Sequence, residues 1–251
     1  MQDSLITRAI VTGHTRGIGA AISVQLLEQG AHVLGLSRGS NASLAGQFPT
    51  TFSQDALDLA DAASVERWIA TSRLRDYLDG AQRVVLINNA GMLGPIGGLE
   101  MQDTAAIARA IQLNVATPMM IAAAFAQASA DATDRRIAHV SSGAARNAYA
   151  GWSIYCGSKA ALDHHARAVA LDAHRSIRIC SLAPGVVDTQ MQSEIRDTAL
   201  ERFPDRHRFE ALKRDAQLAS PEDSARRIVA YVLSDAFGEL ATEDVRTLRA
   251  V

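Results

Sequence analysis

A tyrosine and a lysine four positions apart, Tyr155 and Lys159, are the residues of this sequence best placed to do chemistry. In a helix this spacing puts both side chains on one face, one turn apart. The lysine charge would favour the phenolate, so the tyrosine could exchange a proton nearer neutral pH than a free phenol does. Ser142 lies thirteen positions before the tyrosine, at the end of a predicted strand. These residue types predict a proton-transfer site.

A glycine-rich turn with Gly13, Gly17 and Gly19 follows the first predicted strand and opens a predicted helix. Glycines there let the backbone approach a pyrophosphate, and the free N–H groups at the helix start attract its charge. The spacing is G-x3-G-x-G and not G-x-G-x-x-G, so a purely structural tight turn stays the alternative. The place of the turn between strand and helix favours dinucleotide binding.

The second predicted strand ends at Ser37-Arg38, where an NAD site carries an acid for the ribose 2′-hydroxyl. A 2′-phosphate calls for a cation instead, and Arg16 in the glycine turn could reach the same phosphate. Both could also be solvated arginines, because only two of the 25 Lys and Arg residues are lysines. Asp58-Leu59 come after a third strand, whose bounds the sequence does not define, and could contact the adenine or could simply form a surface turn. Together the arginines favour NADP(H).

Strand-length apolar runs alternate with amphipathic stretches along the chain, which predicts βαβ units and a parallel sheet. The predicted strands are residues 8–12, 32–37, 84–88, 137–141 and 177–182. The predicted helices are residues 18–29, 65–78, 104–113, 118–129, 154–174 and 221–234. No linker or repeat divides the chain, so we expect one α/β domain over residues 1–251, a Rossmann-type doubly wound parallel sheet with helices on both faces. Residues 188–220 are irregular and charged, and we expect a helical excursion that covers the substrate.

Composition narrows the class of protein. The 251 residues are 48% apolar and 21% charged, with a formal net charge of −2, which is typical of an ordinary globule and argues against disorder or bulk binding to nucleic acid. The longest apolar stretch, residues 119–126, is too short to span a bilayer, and the first residues form no apolar secretory region. We therefore expect a cytoplasmic protein with no membrane or nucleic-acid partner. Cys156 and Cys180 form no zinc-type motif, so no metal is expected.

Two further segments, residues 88–91 (Asn-Asn-Ala-Gly) and 184–189, also lie at predicted strand ends, where ligands gather in open α/β sheets. With the glycine turn, Asn114, Ser142 and the Tyr155–Lys159 pair, they make the sequence resemble the short-chain dehydrogenase/reductase family along essentially its whole length. The order and spacing of these motifs together are specific to that family.

The resemblance implies a role for each site residue. Tyr155 would be the general acid in carbonyl reduction, and Ser142 would polarise and orient the carbonyl. Lys159 would bind the nicotinamide ribose and lower the tyrosine pKa, and Asn114 would hold a water that links Lys159 to a proton relay. Asn88, Ala90 and Gly91 would line the adenosine side, and Val187 and Thr189 would contact the carboxamide. The residues and the resemblance together predict these cofactor contacts: Gly13, Thr15, Arg16, Gly17, Ile18, Gly19, Ser37, Arg38, Asp58, Leu59, Asn88, Ala90, Gly91, Tyr155, Lys159, Pro184, Gly185, Val187 and Thr189.

Within the family, residues 183–192 and the chain end near Asp244 resemble the branch that reduces benzil and sepiapterin. The chain lacks the terminal glycine-rich strand end usual in 3-oxoacyl-carrier-protein reductases. The expected function is an NADPH-dependent carbonyl reductase acting on a vicinal diketone, of the benzil to (S)-benzoin kind. The alternatives are a pterin side-chain reductase and a dinucleotide-binding sensor without turnover. Helices near 104–129 and 154–174 resemble the family's pairing surface, so a homodimer or homotetramer is expected.

Some neighbouring residues allow rival assignments. Ser141 could take the place of Ser142, but the spacing to the tyrosine favours the latter. Tyr149 and Trp152 could form a substrate-pocket wall or simply pack a loop. The adjacent pair His164-His165 lacks the i,i+4 spacing of metal ligands on a helix and is expected to be exposed or at an interface.

Overall fold

Seven parallel strands form one sheet in the order β3-β2-β1-β4-β5-β6-β7. The computed structural model describes residues 5–172 and 177–248. The strands are β1 Thr7–Thr12, β2 His32–Ser37, β3 Phe52–Ala56, β4 Arg83–Asn88, β5 Asp134–Val140, β6 Ile177–Ala183 and β7 Thr242–Asp244. The helices are α1 Gly17–Glu28, α2 Ala42–Gln47, α3 Ala62–Ile69, α4 Arg73–Leu78, α5 Thr104–Ile111, α6 Thr117–Ala128, α7 Ser153–Leu171, α8 Gln190–Asp197, α9 Arg206–Arg214 and α10 Pro221–Leu233.

The central strands are buried on both faces, as a parallel sheet between two helical layers requires. Four consecutive side chains of β4, from Val84 to Ile87, have no exposed surface. One core joins the sheet to α1 and α10, where Ile22 and Ile228 are buried. The other core joins the opposite face to α3, α4 and α6, where Phe125 is buried. The predicted single-domain, doubly wound α/β fold is confirmed.

Some predicted boundaries were wrong, for local reasons. The helix predicted over residues 65–78 is two helices, because Thr71 and Ser72 bond their hydroxyls to Trp68 and Asp76 and so compete with a continuous helix. The strand predicted over residues 137–141 is β5, which ends at Val140, one residue earlier than predicted. The long helix predicted over residues 154–174 runs from Ser153 to Leu171, and its last two predicted residues lie outside the described part of the chain.

Helices α5 and α6 are joined without a break by a π-helical segment, Gln112–Ala116. By length and composition alone the combined run Thr104–Ala128, of 25 residues, could cross a membrane. The sequence suggested only a shorter apolar stretch. In this fold the Ile121 and Phe125 side chains of α6 are fully buried in the core that the sheet shares with α3, α4 and α6. This is the usual position of an apolar helix in an α/β protein.

At the sheet edge opposite the carboxyl ends of the strands, one carboxylate joins β4, β5 and β6. Asp134 accepts hydrogen bonds from Arg83 at 2.6 Å, Arg136 at 2.8 Å and Arg178 at 2.9 Å. Burial raises the Asp134 pKa, but bonds from Arg136, Arg178 and Arg83 outweigh burial and hold the pKa well below its usual value. Arg136 has no exposed surface, so this carboxylate compensates a fully buried charge.

Candidate active site

The turn between β1 and α1 is shaped to admit a phosphate group. Gly13 and Gly17 have φ values of +72° and +55°, a region that side chains disfavour. A Cβ at Gly19 would lie 2.2 Å from the Gly13 carbonyl oxygen, so only glycine fits there. The N-cap of α1, Arg16, makes no side-chain cap. The first N–H groups of α1 are therefore free to bind an anion.

A bracing residue that the sequence analysis left without a role joins this turn to the end of β4. Asn89 Nδ2 donates to the Thr12 carbonyl oxygen at 2.9 Å and to that of Gly13 at 3.3 Å. The backbone N–H groups of Asn89 and Ala90 both donate to Thr12 Oγ1. The side chain of Asn88 instead points inward, where Nδ2 donates to the Pro118 carbonyl oxygen. A cofactor contact from Asn88 could come only from its backbone.

The residues expected at the adenosine ribose lie at the end of β2. Ser37 is half-buried, and Arg38 is exposed, with no side-chain partner recorded within the described residues. Arg16 is engaged elsewhere, because its guanidinium donates to Gln190 Oε1 at the start of α8. Arg16 is thus bound to α8, which follows β6 on one side of β1, whereas Arg38 on the β2 side has no side-chain partner among the described residues.

A buried histidine of the glycine turn fixes the backbone that follows β2. Gln54 Oε1 of β3 accepts from His14 Nε2 at 2.9 Å and from the Asn41 backbone N–H at 2.8 Å. Burial lowers the pKa of His14, so the ring is neutral near pH 7. A Cβ at Gly35 would lie 2.4 Å from that ring. The segment carrying Arg38 is therefore tied to the glycine turn through β3.

The third strand is followed by Asp58 and Leu59, which the sequence placed beside the adenine. Asp58 Oδ1 accepts from the Ala60 backbone N–H at 3.0 Å, as in an ordinary turn. Leu59 is buried, and its carbonyl oxygen accepts from Thr117 Oγ1 at 2.7 Å. Both residues thus fix the turn after β3 and its contact with α6. Their contact with an adenine stays a prediction.

The tyrosine and the lysine lie on one face of α7, as predicted. Lys159 Nζ is 5.8 Å from the centre of the Tyr155 ring and donates to the Val140 carbonyl oxygen at 2.8 Å. Burial lowers the pKa of Lys159 to about 8, and the negative charge of Asp163 opposes that shift. Ser142, just after β5, accepts from the Ala144 backbone N–H at 3.1 Å. The Ser142 hydroxyl is also hydrogen-bonded with Tyr155.

The tyrosine itself behaves differently from the sequence expectation. Burial raises the pKa of Tyr155 to about 12, and hydrogen bonding with Ser142 opposes this only in part. The protein groups alone therefore leave the phenol protonated near neutral pH, and the lowering of its pKa by Lys159 stays a prediction. The Tyr155 hydroxyl lies 4.0 Å from the Met191 sulfur of α8, so the excursion after β6 covers the proton donor.

Asn114 lies in the π-helical segment between α5 and α6, a kind of distortion that often accompanies functional sites. Its Nδ2 donates to the Met92 carbonyl oxygen at 2.8 Å, and its Oδ1 accepts from the Met92 N–H at 3.0 Å. A Cβ added to Gly91 would lie 3.4 Å from Asn114 Oδ1 and 3.5 Å from Lys159 Nζ. Asn114 thus fixes the loop after β4 next to the lysine. Its water-holding role stays a prediction.

The segment after β6 closes the crevice from the far side. The Pro184 carbonyl oxygen accepts from Ser224 Oγ at 3.0 Å, and Gly185 has a φ of +81°. Val187 pairs with Ala219 in an isolated parallel bridge. A Cβ at Gly17 would lie 3.4 Å from the Thr189 methyl group, so this segment meets the glycine turn.

Comparison with known proteins decides the family. A family model for short chain dehydrogenases matches residues 7–200. The chain belongs to the short-chain dehydrogenase family. This confirms the sequence-based prediction, and members of the family bind nicotinamide dinucleotide cofactors.

The relatives also agree with the predicted branch. The chain is 35% identical to a benzil reductase of Bacillus cereus that forms (S)-benzoin, over 87% of this chain and 91% of that protein. It is 30% identical to the sepiapterin reductase of Meriones unguiculatus, over 91% of this chain and 92% of that enzyme. It is 51% identical to a short-chain dehydrogenase/reductase of Burkholderia vietnamiensis of known structure, with a TM-score of 0.71 and coverage of 97% of this chain and 98% of that one.

The residues of this short-chain dehydrogenase fit a nicotinamide dinucleotide. The cradle that a Cβ at Gly19 would fill and the uncapped start of α1 suit a pyrophosphate. The exposed Arg38 at the end of β2 suits a 2′-phosphate.

The aromatic residues beside Tyr155 pack the excursion onto the site. The Trp152 ring stacks on Phe203 with centroids 4.4 Å apart and an interplanar angle of 10°, and Phe209 lies 5.3 Å away. Trp152 is only 3% exposed, so of the two alternatives left open by the sequence it packs a loop. Tyr149 is half-buried at the edge of this cluster and accepts from Arg208 at 3.3 Å.

Proposed function

We propose that this short-chain dehydrogenase is an NADPH-dependent reductase of vicinal diketones, which converts benzil to (S)-benzoin. The observation that carries the proposal is that Ser142, Tyr155 and Lys159 lie together at the same carboxyl edge of the sheet as the glycine turn. The lysine nitrogen lies 5.8 Å from the tyrosine ring, and both residues share one helix face. A non-catalytic sensor of dinucleotides would have no need for this combination.

Each side chain has one task in the proposed mechanism. Ser142, hydrogen-bonded with Tyr155 in the free protein, turns its hydroxyl proton to the substrate carbonyl oxygen and so polarises the carbonyl. With a pKa raised to about 12, Tyr155 is protonated near neutral pH and is ready to give its proton to the alkoxide oxygen. The buried Lys159 ammonium stabilises the phenolate that remains. NADPH, when bound, supplies the hydride.

The proposal of NADPH over NADH rests on the β2 end of the site. An acid there would accept from a ribose hydroxyl and repel a phosphate, whereas this chain has Ser37 and Arg38. The guanidinium of Arg38 is exposed and unpaired within the described residues, so it can bind a 2′-phosphate without losing another partner.

The substrate proposal rests on the cover over Tyr155 and on the relatives. Met191 lies over the Tyr155 hydroxyl, and the buried cluster of Trp152, Phe203 and Phe209 holds the excursion in place, so the cover over the donor is apolar and suits a flat or aryl-bearing diketone. The similarity to benzil reductase of Bacillus cereus agrees with it. The similarity to a sepiapterin reductase supports the second candidate, reduction of a pterin side-chain diketone.

We also propose that the enzyme is cytoplasmic and forms a homodimer or homotetramer through the surface of α5, α6 and α7. Size-exclusion chromatography with light scattering tests the assembly.

The proposed activity is tested by following NADPH oxidation with benzil, sepiapterin, aliphatic diketones and simple ketones. We expect turnover with benzil that the Tyr155→Phe variant loses while keeping its fold. Preference for sepiapterin would select the second candidate. Absence of turnover with every carbonyl compound, or preference for 3-oxoacyl thioesters, would overturn the proposal.

A further inference from the structure

A buried carboxylate that the mechanism does not use lies one helical turn beyond the catalytic lysine. Asp163 of α7 is 3% exposed. Its Oδ1 accepts from Ser141 Oγ at 2.6 Å and from Ser181 Oγ at 2.7 Å. Its Oδ2 accepts from Arg146 Nε at 3.2 Å. A buried charge is costly unless it is paired and hydrogen-bonded, and here both oxygens have partners.

The partners of this carboxylate all belong to segments that form the site. Ser141 precedes Ser142 in the chain, and Ser181 belongs to β6. Arg146 follows the short helical turn that Ser142 caps, and its Nη2 also donates to the Glu243 carbonyl oxygen of β7 at 3.2 Å. One carboxylate thus connects α7, which carries the tyrosine and the lysine, to the segment that carries the serine.

We propose that Asp163 is a positioning residue, whose carboxylate is the counter-ion that keeps the buried Lys159 side chain charged while its hydrogen bonds hold the Ser142 segment against α7. The inference rests on the proposed function for the roles of Lys159 and Ser142. Its electrostatic part concerns this chain's own residues and can be measured without substrate.

The fixed charges around the pair act in opposite directions. Spacing of i,i+4 on α7 places Lys159 and Asp163 on one helix face, and the carboxylate raises the lysine pKa against the effect of burial. Arg146, from the 3₁₀ turn after β5, is the cation in direct contact with this carboxylate, and its charge opposes the effect of Asp163 on the lysine. The negative charge of Glu243 on β7 raises the pKa of Cys180 on β6. Arg109 on α5 is exposed to solvent, which screens its charge.

The titratable neighbours on the packed elements stay neutral while the lysine titrates. Burial lowers the pKa of His139 on β5 to about 3 and raises that of Cys180 on β6 to about 12. Tyr155 on α7 itself is raised to about 12. The π-helical segment contributes only the uncharged Asn114 amide. His165 on α7, the hydrogen-bond partner of His139, has its pKa lowered by burial, so above about pH 7 the change in charge at this position is that of Lys159.

The sequence makes a direct measurement possible, because Lys159 and Lys213 are the only lysines. Protein grown with lysine carrying ¹³C at Cε gives two signals in an NMR spectrum, and Lys213→Arg identifies which one belongs to Lys159. The change of its chemical shift with pH reports the charge of Lys159 in the free protein. We expect a midpoint near pH 8 in the wild type.

Two substitutions should move this midpoint in opposite directions. Asp163→Asn removes the charge but keeps an oxygen for the two serine hydroxyls, and should lower the midpoint by about one unit, the lower end of the effect of an adjacent opposite charge. Arg146→Gln removes the competing cation and should raise the midpoint. Ser181→Ala, which removes one hydrogen bond and no charge, is the matched control and should leave the midpoint within about 0.3 units.

The same variants are assayed for reduction of benzil. The alkaline limb of kcat should move to lower pH in Asp163→Asn, so that the loss relative to wild type is about fivefold at pH 8 and under about twofold at pH 6.5. A purely structural role would lower kcat equally at both values. Ser181→Ala should lower kcat without changing the shape of the profile.

An unchanged Lys159 midpoint in a folded Asp163→Asn protein would overturn the inference, whatever the activity. If that variant does not fold, Arg146→Gln decides, since the Arg146 side chain is 38% exposed and the Asp163 carboxylate keeps its hydrogen bonds from Ser141 and Ser181; an unchanged midpoint there also overturns it. Failure of the wild type to reduce any carbonyl compound would overturn the proposed function alone and leave the measured lysine titration in place.

Discussion

Replacing Arg38 with aspartate should convert the proposed NADPH preference into a preference for NADH. A charge-assisted hydrogen bond contributes about 1.5–3 kcal/mol to binding. Arg38 is exposed at the end of β2, so its contribution to the binding of the 2′-phosphate belongs at the lower end, about 1.5 kcal/mol. The introduced carboxylate adds a repulsion of about 1 kcal/mol at 4 Å in water. The sum, about 2.5 kcal/mol, predicts a fall of roughly 70-fold in kcat/KM for NADPH.

The structure also supplies the control for this experiment. Arg16 lies at the N-cap position of α1 without capping it, and its guanidinium donates to Gln190, so Arg16→Leu should weaken both cofactors to a similar degree. The assay is steady-state kcat/KM with NADPH and with NADH at fixed benzil. For Arg38→Asp, kcat/KM with NADH should stay within about threefold, because a ribose hydroxyl can donate to the new carboxylate. Equal wild-type values for the two cofactors, or equal losses in Arg38→Asp, would refute the reasoning.

Three further predictions concern catalysis, substrate and stability. Tyr155→Phe should keep its thermal unfolding temperature and lose about 10²–10⁴-fold in kcat, whereas unchanged turnover would remove the phenol from the mechanism. Benzil should exceed simple monoketones by at least about tenfold in kcat/KM and give one dominant benzoin enantiomer by chiral chromatography; a racemic product would contradict a fixed substrate orientation. Asp134→Asn should lower the free energy of unfolding by about 3–5 kcal/mol in urea titrations, because it leaves the buried Arg136 charge uncompensated; Asp215→Asn, at an exposed ion pair, should have no measurable effect. Because the folded-state pKa of Asp134 lies below the unfolded value, its stabilisation is present above about pH 4 and is lost as the pH falls further.

The main elements of the fold could be predicted because central parallel strands are buried on both faces. The apolar runs of β1, β2, β4, β5 and β6 are therefore visible in the sequence. The edge strand β3, with the sequence FSQDA, is only partly buried and lacks such a run, so its bounds were not assigned. The split between α3 and α4 depends on hydroxyl bonds of Thr71 and Ser72, which apolar periodicity does not report.

In the candidate site, contacts between residues close in sequence could be predicted, and contacts between distant residues could not. Tyr155 and Lys159 could be paired from the sequence because their contact is local to one helix. Asn89 could not be assigned its bracing role, because its partner Thr12 is 77 residues away in the chain. Asp163 carried a signal that went unused, namely its i,i+4 spacing from Lys159. Its partners Ser141 and Ser181 lie 22 and 18 residues away, and only the fold brings them together.

The residues around the proton donor therefore belong to two kinds of segment, and substitutions in each should differ in effect. Lys159 is held at the end of β5 through the Val140 carbonyl oxygen, and Ser141, the neighbour of Ser142, is held by the Asp163 carboxylate of α7, so directional hydrogen bonds fix both positions. Met191 belongs to an excursion held mainly by apolar packing between Trp152 and Phe203. Packing of this kind is non-directional and tolerates repacking, whereas a buried charge without its partner does not. Changes in the excursion should accordingly alter KM for the carbonyl substrate, and changes at the strand ends should alter kcat and its pH dependence.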